Sequence, residues 1–214
     1  MVLIIPFIGT TLGAACVFFM KKELSLNIQK ALIGFAAGVM VAASIWSLII
    51  PSLAQSSTFI PALIGFWLGI LFLLLLDHLI PHMHLDHSQE GPRSHLSQTI
   101  KLVLAVTIHN IPEGIATFLT TTSNLNLGLK LTIAIAFHNI PEGISISLPI
   151  YYSLNNKKKA FLYTFISSIS EPFGAFLCFI FIGPYVNILF LGFLFSLISG
   201  IMLYLSLIHI SEPT

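Results

Sequence analysis

The sequence predicts an all-α fold, a polytopic membrane helix bundle. Three observations lead there. Of 214 residues, 56% are hydrophobic and only 8% charged, too few charges to cover a soluble domain of this size. Mean hydropathy is +0.97. Crossing a hydrocarbon core about 30 Å thick takes roughly 20 helical residues, and apolar runs of about that length recur seven times.

The first run, Val2–Met20, precedes Lys21 and Lys22. A secretory signal places its positive charges ahead of the apolar run and ends in a small-residue cleavage site. The order here is reversed, so this segment is expected to remain as a spanning helix. The other six are Ala31–Ile50, Phe59–Leu76, Thr99–Thr121, Leu127–Tyr151, Ala160–Ile182 and Ile188–Leu207. The connections between them are short, polar or marked by Pro and Gly, as in "TSNLN", "SLNNKKK" and "GPYVN", so no second domain is expected. Cys16 and Cys178 lie inside apolar segments without CxxC spacing and read as small buried residues. A formal net charge of +1 offers no basic patch for a nucleic acid.

Orientation follows from the basic residues. Lys21, Lys22 and Lys30 flank the first connection, Arg93 and Lys101 the third, and Lys157, Lys158 and Lys159 fill the fifth; only Lys130 falls by an even-numbered one. Positive residues concentrate in cytoplasmic loops. Odd connections are therefore expected in the cytoplasm and the N-terminus outside.

The acids break the apolar pattern. "HNIPEG" occurs at His109–Gly114 and again at His138–Gly143, and "SEPFGA" follows at Ser170–Ala175. Glu113, Glu142 and Glu171 lie deep in spanning segments at even spacings of 29 residues. An ionisable group at the bilayer centre costs about 2.5–3.5 kcal/mol on insertion scales for Asp, Lys or Arg, and no Lys or Arg stands near these three. A helix puts His109 and Glu113 on one face at i and i+4, with Asn110 overlapping it, and repeats this with His138, Asn139 and Glu142. Imidazole, amide oxygen and carboxylate together form a mixed N/O ligand set suited to Zn²⁺, Fe²⁺ or Mn²⁺. Pro112 and Pro141 each remove a backbone hydrogen bond within the helix, and Gly114 and Gly143 allow close helix approach. One short connection joins the two helices, so the copies run in opposite directions, the inverted-repeat transporter architecture with a midplane site.

Other chemistries fit less well. A lone His or Asn in a membrane helix is often a packing residue, but two copies plus Glu171 strain that reading. A metalloprotease wants H-E-x-x-H on one helix, and a carboxylate di-metal oxidase wants Glu-x-x-His; this chain has H-N-x-x-E. An intramembrane metalloenzyme would also need an acid, base or nucleophile that is not already a ligand, so no enzyme is expected. A membrane metal-binding sensor without transport would use the same ligands.

These motifs resemble the ZIP family of divalent metal transporters, and "GFAAGVMVAASIWSLIIPSL" and "GFWLGILFLLLLDHLIPHMH" look like its bacterial GufA-type branch. The resemblance covers nearly all of Val2–Tyr204. It implies eight helices, of which seven spanning segments are present, an outside N-terminus and a binuclear site. His109, Glu113, His138 and Glu142 would form one metal position. Asn110, Asn139 and Glu171 would form the other, with Glu113 and Glu142 bridging. The implied cargo is Zn²⁺, with Fe²⁺, Mn²⁺ and Cd²⁺ as alternatives, imported into the cytoplasm, with no catalytic cofactor. The expected location is the plasma (inner) membrane of a prokaryote. Expected partners are divalent metal ions, the lipid bilayer and a second copy of the chain as a homodimer.

The family also carries a His-rich cytoplasmic loop where this chain has residues 81–98, and His78, His82, His84, His87 and His95 in and beside that stretch are candidate loop ligands. Residues 1–204 are expected to be the transporter domain. The tail 205–214, "LSLIHISEPT", resembles a translated sequencing adapter and is expected to be non-native, which leaves His209 and Glu212 out of any ligand set.

Overall fold

The computed structural model describes residues 2–20, 24–55, 58–79 and 92–211. Among these, the chain is an all-α membrane bundle, with helical rods where the seven apolar runs stand. Helix α1 (Ile5–Ala15) lies between 3₁₀ turns at Val2–Ile4 and Cys16–Phe18. Helix α2 (Leu26–Ala43) passes through a π-helical stretch, Ser44–Ile49, into α3 (Ile50–Gln55). Then come α4 (Ile60–Leu79), α5 (Pro92–Ser123) and α6 (Leu125–Leu154). Helices α7 (Lys157–Ser168) and α8 (Ser170–Leu177) continue into a second π stretch, Cys178–Ile182, and α9 is Ile188–Ser211. By length and composition, Asn27–Gln55, Leu125–Leu154, Lys157–Tyr185 and Ile188–Leu207 are long and apolar enough to cross a membrane.

Caps explain where the helices outrun the apolar runs. Ser25 accepts from the Ile28 amide, so α2 starts before Ala31. Asn124 accepts from Leu127 N–H at 3.0 Å and is the single residue between α5 and α6. Asn156 caps α7 in the same way. These are the side chains that satisfy orphan amides at helix starts. The residue before that cap, Asn155, has φ 47° and ψ 36°, a left-handed conformation that Asn tolerates and β-branched residues do not. Asn155→Gly is expected to leave thermal unfolding in detergent unchanged, whereas Asn155→Val lowers stability by about 1–2 kcal/mol.

Prolines set the interruptions. Pro172 lacks the amide that would bond the Ser168 carbonyl, and the rod breaks at Ile169. Pro51 and Pro184 follow the two π stretches closely, which are the usual relief for a displaced carbonyl. Pro112 and Pro141, by contrast, sit inside unbroken helices. Residues 92–98, expected as loop, already belong to α5, which begins on Pro92, a residue suited to a first helical turn.

Contacts between helices fix their directions. Gly9 abuts Ala136 and Gly13 abuts Ile140, so α1 and α6 run parallel; Gly65 against Phe193 and Gly69 against Leu197 make α4 and α9 parallel too. Ser199 Oγ donates to Ser44 O at 3.1 Å and Ser52 Oγ to Gly192 O at 2.6 Å, an antiparallel pairing of α9 with α2 and α3. Lys157 Nζ donates to Met20 O at 2.6 Å and Phe18 O at 3.3 Å, which puts the start of α7 beside the end of α1 on one face of the bundle. Two sets of helices pack among themselves, α1, α5, α6, α7 and α8 in one and α3, α4 and α9 in the other, with α2 between them against both α6 and α9. They meet along a core containing Met40, Ala116, Leu131, Ile135, Phe195 and Ile198.

Burial is inverted relative to a soluble protein. Trp46, Trp67, Phe72 and Phe181 face outward, while 22 hydroxyl, amide and ionisable side chains are enclosed among the described residues. Lipid tails solvate the former, and the latter must find partners within the protein.

Candidate metal centre

The polar motifs occupy the α5–α6 interface. Thr121 abuts Gly128, Glu113 approaches His138, and His109 approaches Glu142. As one number rises the other falls, so the two helices are antiparallel and the two motif copies face each other, inverted. All seven motif residues are enclosed: exposure is 0% for Asn110, Glu113 and Asn139, 1% for Glu171, and no more than 6% for His109, His138 and Glu142.

Glu113 lies at the centre. Its Oε1 is 3.4 Å from His109 Nε2 and 3.5 Å from His138 Nε2, and Glu142 Oε1 lies 3.8 Å from His109 Nε2. Donor atoms of His109, Glu113 and His138 lie within 4.8 Å of one another. The separations suit a shared ion. Four ligands at about 2.0–2.1 Å from a tetrahedral Zn²⁺ stand about 3.3–3.4 Å apart, and a strong hydrogen bond would be shorter, near 2.9 Å.

Orientation is set from α2. His138 Nδ1 is 3.0 Å from the Ala36 carbonyl of α2. A carbonyl only accepts, so Nδ1 carries the proton, and in the neutral ring Nε2 would turn a lone pair toward Glu113. Such a backbone partner on the far nitrogen is the usual support of a metal-ligating imidazole. A lone pair facing a carboxylate oxygen at 3.5 Å is repulsive unless a proton or cation lies between them.

The second cluster is built from the asparagines. Asn139 Nδ2 donates to the Pro6 carbonyl of α1 at 3.2 Å and to Glu171 Oε2 at 3.1 Å. Both amide hydrogens are thereby used, and Oδ1 faces away from them. The Glu171 backbone is pressed against α5, where a Cβ on Gly114 would collide with its carbonyl oxygen. Asn139 Oδ1, the Asn110 amide, both Glu113 oxygens, Glu142 Oε2 and Glu171 Oε1 are buried and make no hydrogen bond within the described residues. Buried acceptors without donors are expensive, and a divalent ion is a partner that satisfies several at once.

A crevice of about 20 Å³ touches His109, His138 and Glu142 and is bordered by Ala36, Met40, Ser145 and Ser206, room for about one water. A wide cleft of about 1260 Å³ lies at the other end, near the α5–α6 connection.

Sequence reasoning named all seven motif residues. It missed the Ala36 and Pro6 carbonyls, because a backbone acceptor carries no residue signature. Of the loop histidines, His78 is exposed at the end of α4. His82, His84 and His87 lie outside the described residues, and His95 falls in α5 with its side chain outside the description.

Comparison with known proteins shows the family. A family described as ZIP zinc transporter matches residues 84–211. The zinc transporter ZupT of Oceanobacillus iheyensis is 35% identical, over 94% of this chain and 82% of the relative. Its namesakes in Campylobacter jejuni and Nitratidesulfovibrio vulgaris are 36% and 37% identical, over 93% and 94% of this chain and 81% of each relative. Carrying the doubled motif in facing helices and matching the family over more than half its length, the chain belongs to the ZIP zinc transporter family.

Proposed function

We propose that this protein carries divalent metal ions, zinc foremost, across the plasma membrane of a prokaryote into the cytoplasm. The observation that supports it best is the convergence of His109, Glu113, His138 and Glu142 at ligand-to-ligand spacing inside a lipid-solvated bundle. These four form one metal position. Asn110, Asn139 and Glu171 form the other, with Glu113 and Glu142 shared between them. The ion is the substrate; the residues replace its water shell at mid-membrane depth.

Sidedness follows the basic residues. Lys157 reaches the end of α1, which groups the first and fifth connections, and Lys and Arg concentrate in odd connections. That face is cytoplasmic and the N-terminus is outside. The metal residues all belong to the helix group of α1, α5, α6, α7 and α8. Movement of this group against α2, α3, α4 and α9 would expose the site to each side in turn. The His138–Ala36 bond crosses that boundary and would be made and broken in each cycle. Because imidazole and carboxylate bind metal deprotonated, protonation on the inner side would favour release.

Flux separates transport from mere binding. Liposomes containing the purified protein are expected to accumulate ⁶⁵Zn from outside, with unlabelled Fe²⁺, Mn²⁺ and Cd²⁺ competing according to selectivity. Saturable binding without accumulation would identify a sensor and sink the transport reading.

A further inference from the structure

The metal cluster leaves four buried threonine hydroxyls without a hydrogen bond within the described residues, those of Thr10, Thr117, Thr121 and Thr132. Thr117 and Thr132 are 1% and 0% exposed, and neither hydroxyl makes a hydrogen bond within the described residues. Threonines in helices ordinarily return the hydroxyl to the carbonyl one turn back. Several threonines of this chain follow that habit: Thr107 bonds Val103 O at 2.7 Å, Thr120 bonds Ala116 O at 2.7 Å, Thr122 bonds Phe118 O at 2.9 Å and Thr164 bonds Ala160 O at 3.0 Å. Thr117 and Thr132 do not, which leaves both oxygens available to another partner.

Their placement is specific. Thr117 lies four residues beyond Glu113 and seven beyond Asn110, on the same face of α5. Thr132 lies seven residues before Asn139 on α6. The register that pairs Glu113 with His138 and Thr121 with Gly128 sets Thr117 opposite residues 132–134. Four residues of helix rise about 6 Å, so the hydroxyl pair stands one turn from Glu113, toward the α5–α6 connection. The next residues along both helices, Phe118, Leu119 and Thr122 on α5 and Leu127 and Lys130 on α6, line the wide cleft at that end.

We infer that Thr117 and Thr132 form an outer station for the incoming ion, between the cleft and the metal centre. The ligand class is a partly hydrated divalent cation. Each hydroxyl offers lone pairs to the ion or to its waters at the point where the apolar walls would otherwise strip the shell with nothing in return. Neutral oxygens suit this task. A site on a conduction path must bind well enough to admit the ion and weakly enough to pass it on, and a further carboxylate here would trap it. The inference rests on the transport reading proposed above.

Four proteins test it: wild type, T117V, the T117V/T132V pair and the T117S/T132S pair. Valine keeps the shape and removes the hydroxyl; serine keeps the hydroxyl and removes the methyl. Two readouts are needed: equilibrium zinc affinity of the purified protein, by competition with a chromophoric chelator, and the initial rate of ⁶⁵Zn uptake into liposomes. The double valine protein is expected to lose about tenfold in rate, as two hydroxyl contacts predict, with affinity within about twofold of wild type. The single variant falls between, and the double serine protein keeps most of the rate. Unchanged flux in the double valine protein would overturn the station, as would serine variants that fail as badly as valine, or a parallel fall in affinity. Those results leave transport standing, because wild type still moves zinc. No flux from wild type sinks the transport reading and the station with it.

Discussion

Glu113→Gln protein is expected to insert and fold normally and to take up no zinc, a loss of at least about 100-fold, beyond the 10–100-fold typical of losing an outer supporting partner. Glutamine has nearly the shape of glutamate, so packing at this fully enclosed position is preserved. The amide lacks the charge that faces His109 and His138 at 3.4 and 3.5 Å, and it cannot bridge two ions. Stability should move the other way. A buried, uncompensated carboxylate is a liability in the metal-free protein, and its neutral replacement is expected to hold or raise the thermal midpoint in detergent. Zinc should then raise the midpoint of wild type and leave that of the variant unmoved, since only a ligand that binds the folded state stabilises it. Glu142→Ala is expected to abolish uptake similarly while leaving membrane insertion intact. A Glu113→Gln protein that still imports ⁶⁵Zn at half the wild-type rate would remove this residue from the centre of the mechanism. A variant that loses stability and uptake together would make Glu113 a packing residue.

The spanning helices were legible because lipid imposes a single rule, a long apolar run for every crossing. The metal cluster was legible because it violates that rule twice in the same words, and because His109 with Glu113, and His138 with Glu142, share faces by helical spacing alone. What spacing cannot give is the pairing across helices. That His138 approaches Glu113 and His109 approaches Glu142 depends on a register set by Gly128 against Thr121. The Ala36 and Pro6 carbonyls were beyond reach for a stronger reason. They lie 102 and 133 residues from the side chains they hold, and any residue could have supplied them. The early start of α5 at Pro92 was hidden by a run of polar residues that hydropathy assigns to a loop. In a helix outside the hydrocarbon core, polarity and helicity do not compete. Thr117 and Thr132 were also invisible, since a threonine in a membrane helix normally satisfies itself.

Gly114→Ala is expected to be the most damaging single-methyl addition in the bundle. A Cβ there would collide with the carbonyl oxygen of Glu171 and press on the Ala175 amide. Both are helix backbone, so no side chain can rotate away; α8 itself must move. Overpacking of this kind costs typically 1–3 kcal/mol, and the rigidity of the obstacle places Gly114 at about the upper end. The functional loss follows from what α8 carries. Glu171 accepts from Asn139 at 3.1 Å, and displacing α8 pulls that pair apart, which removes the carboxylate of the proposed second metal position. Uptake is therefore expected to fall on the order of tenfold or more even where the protein remains folded, because ligands need placement within about 0.5 Å. The same change on α2 serves as the control. Gly34 and Gly38 have nothing within 4 Å of an added Cβ, so alanine there should be neutral or should stabilise by up to about 1 kcal/mol through helix propensity. Unfolding in detergent and ⁶⁵Zn uptake, measured on all three variants, check the contrast. If Gly114→Ala behaves like Gly38→Ala, α8 does not lie against α5 as described, and Glu171 loses its place beside the site.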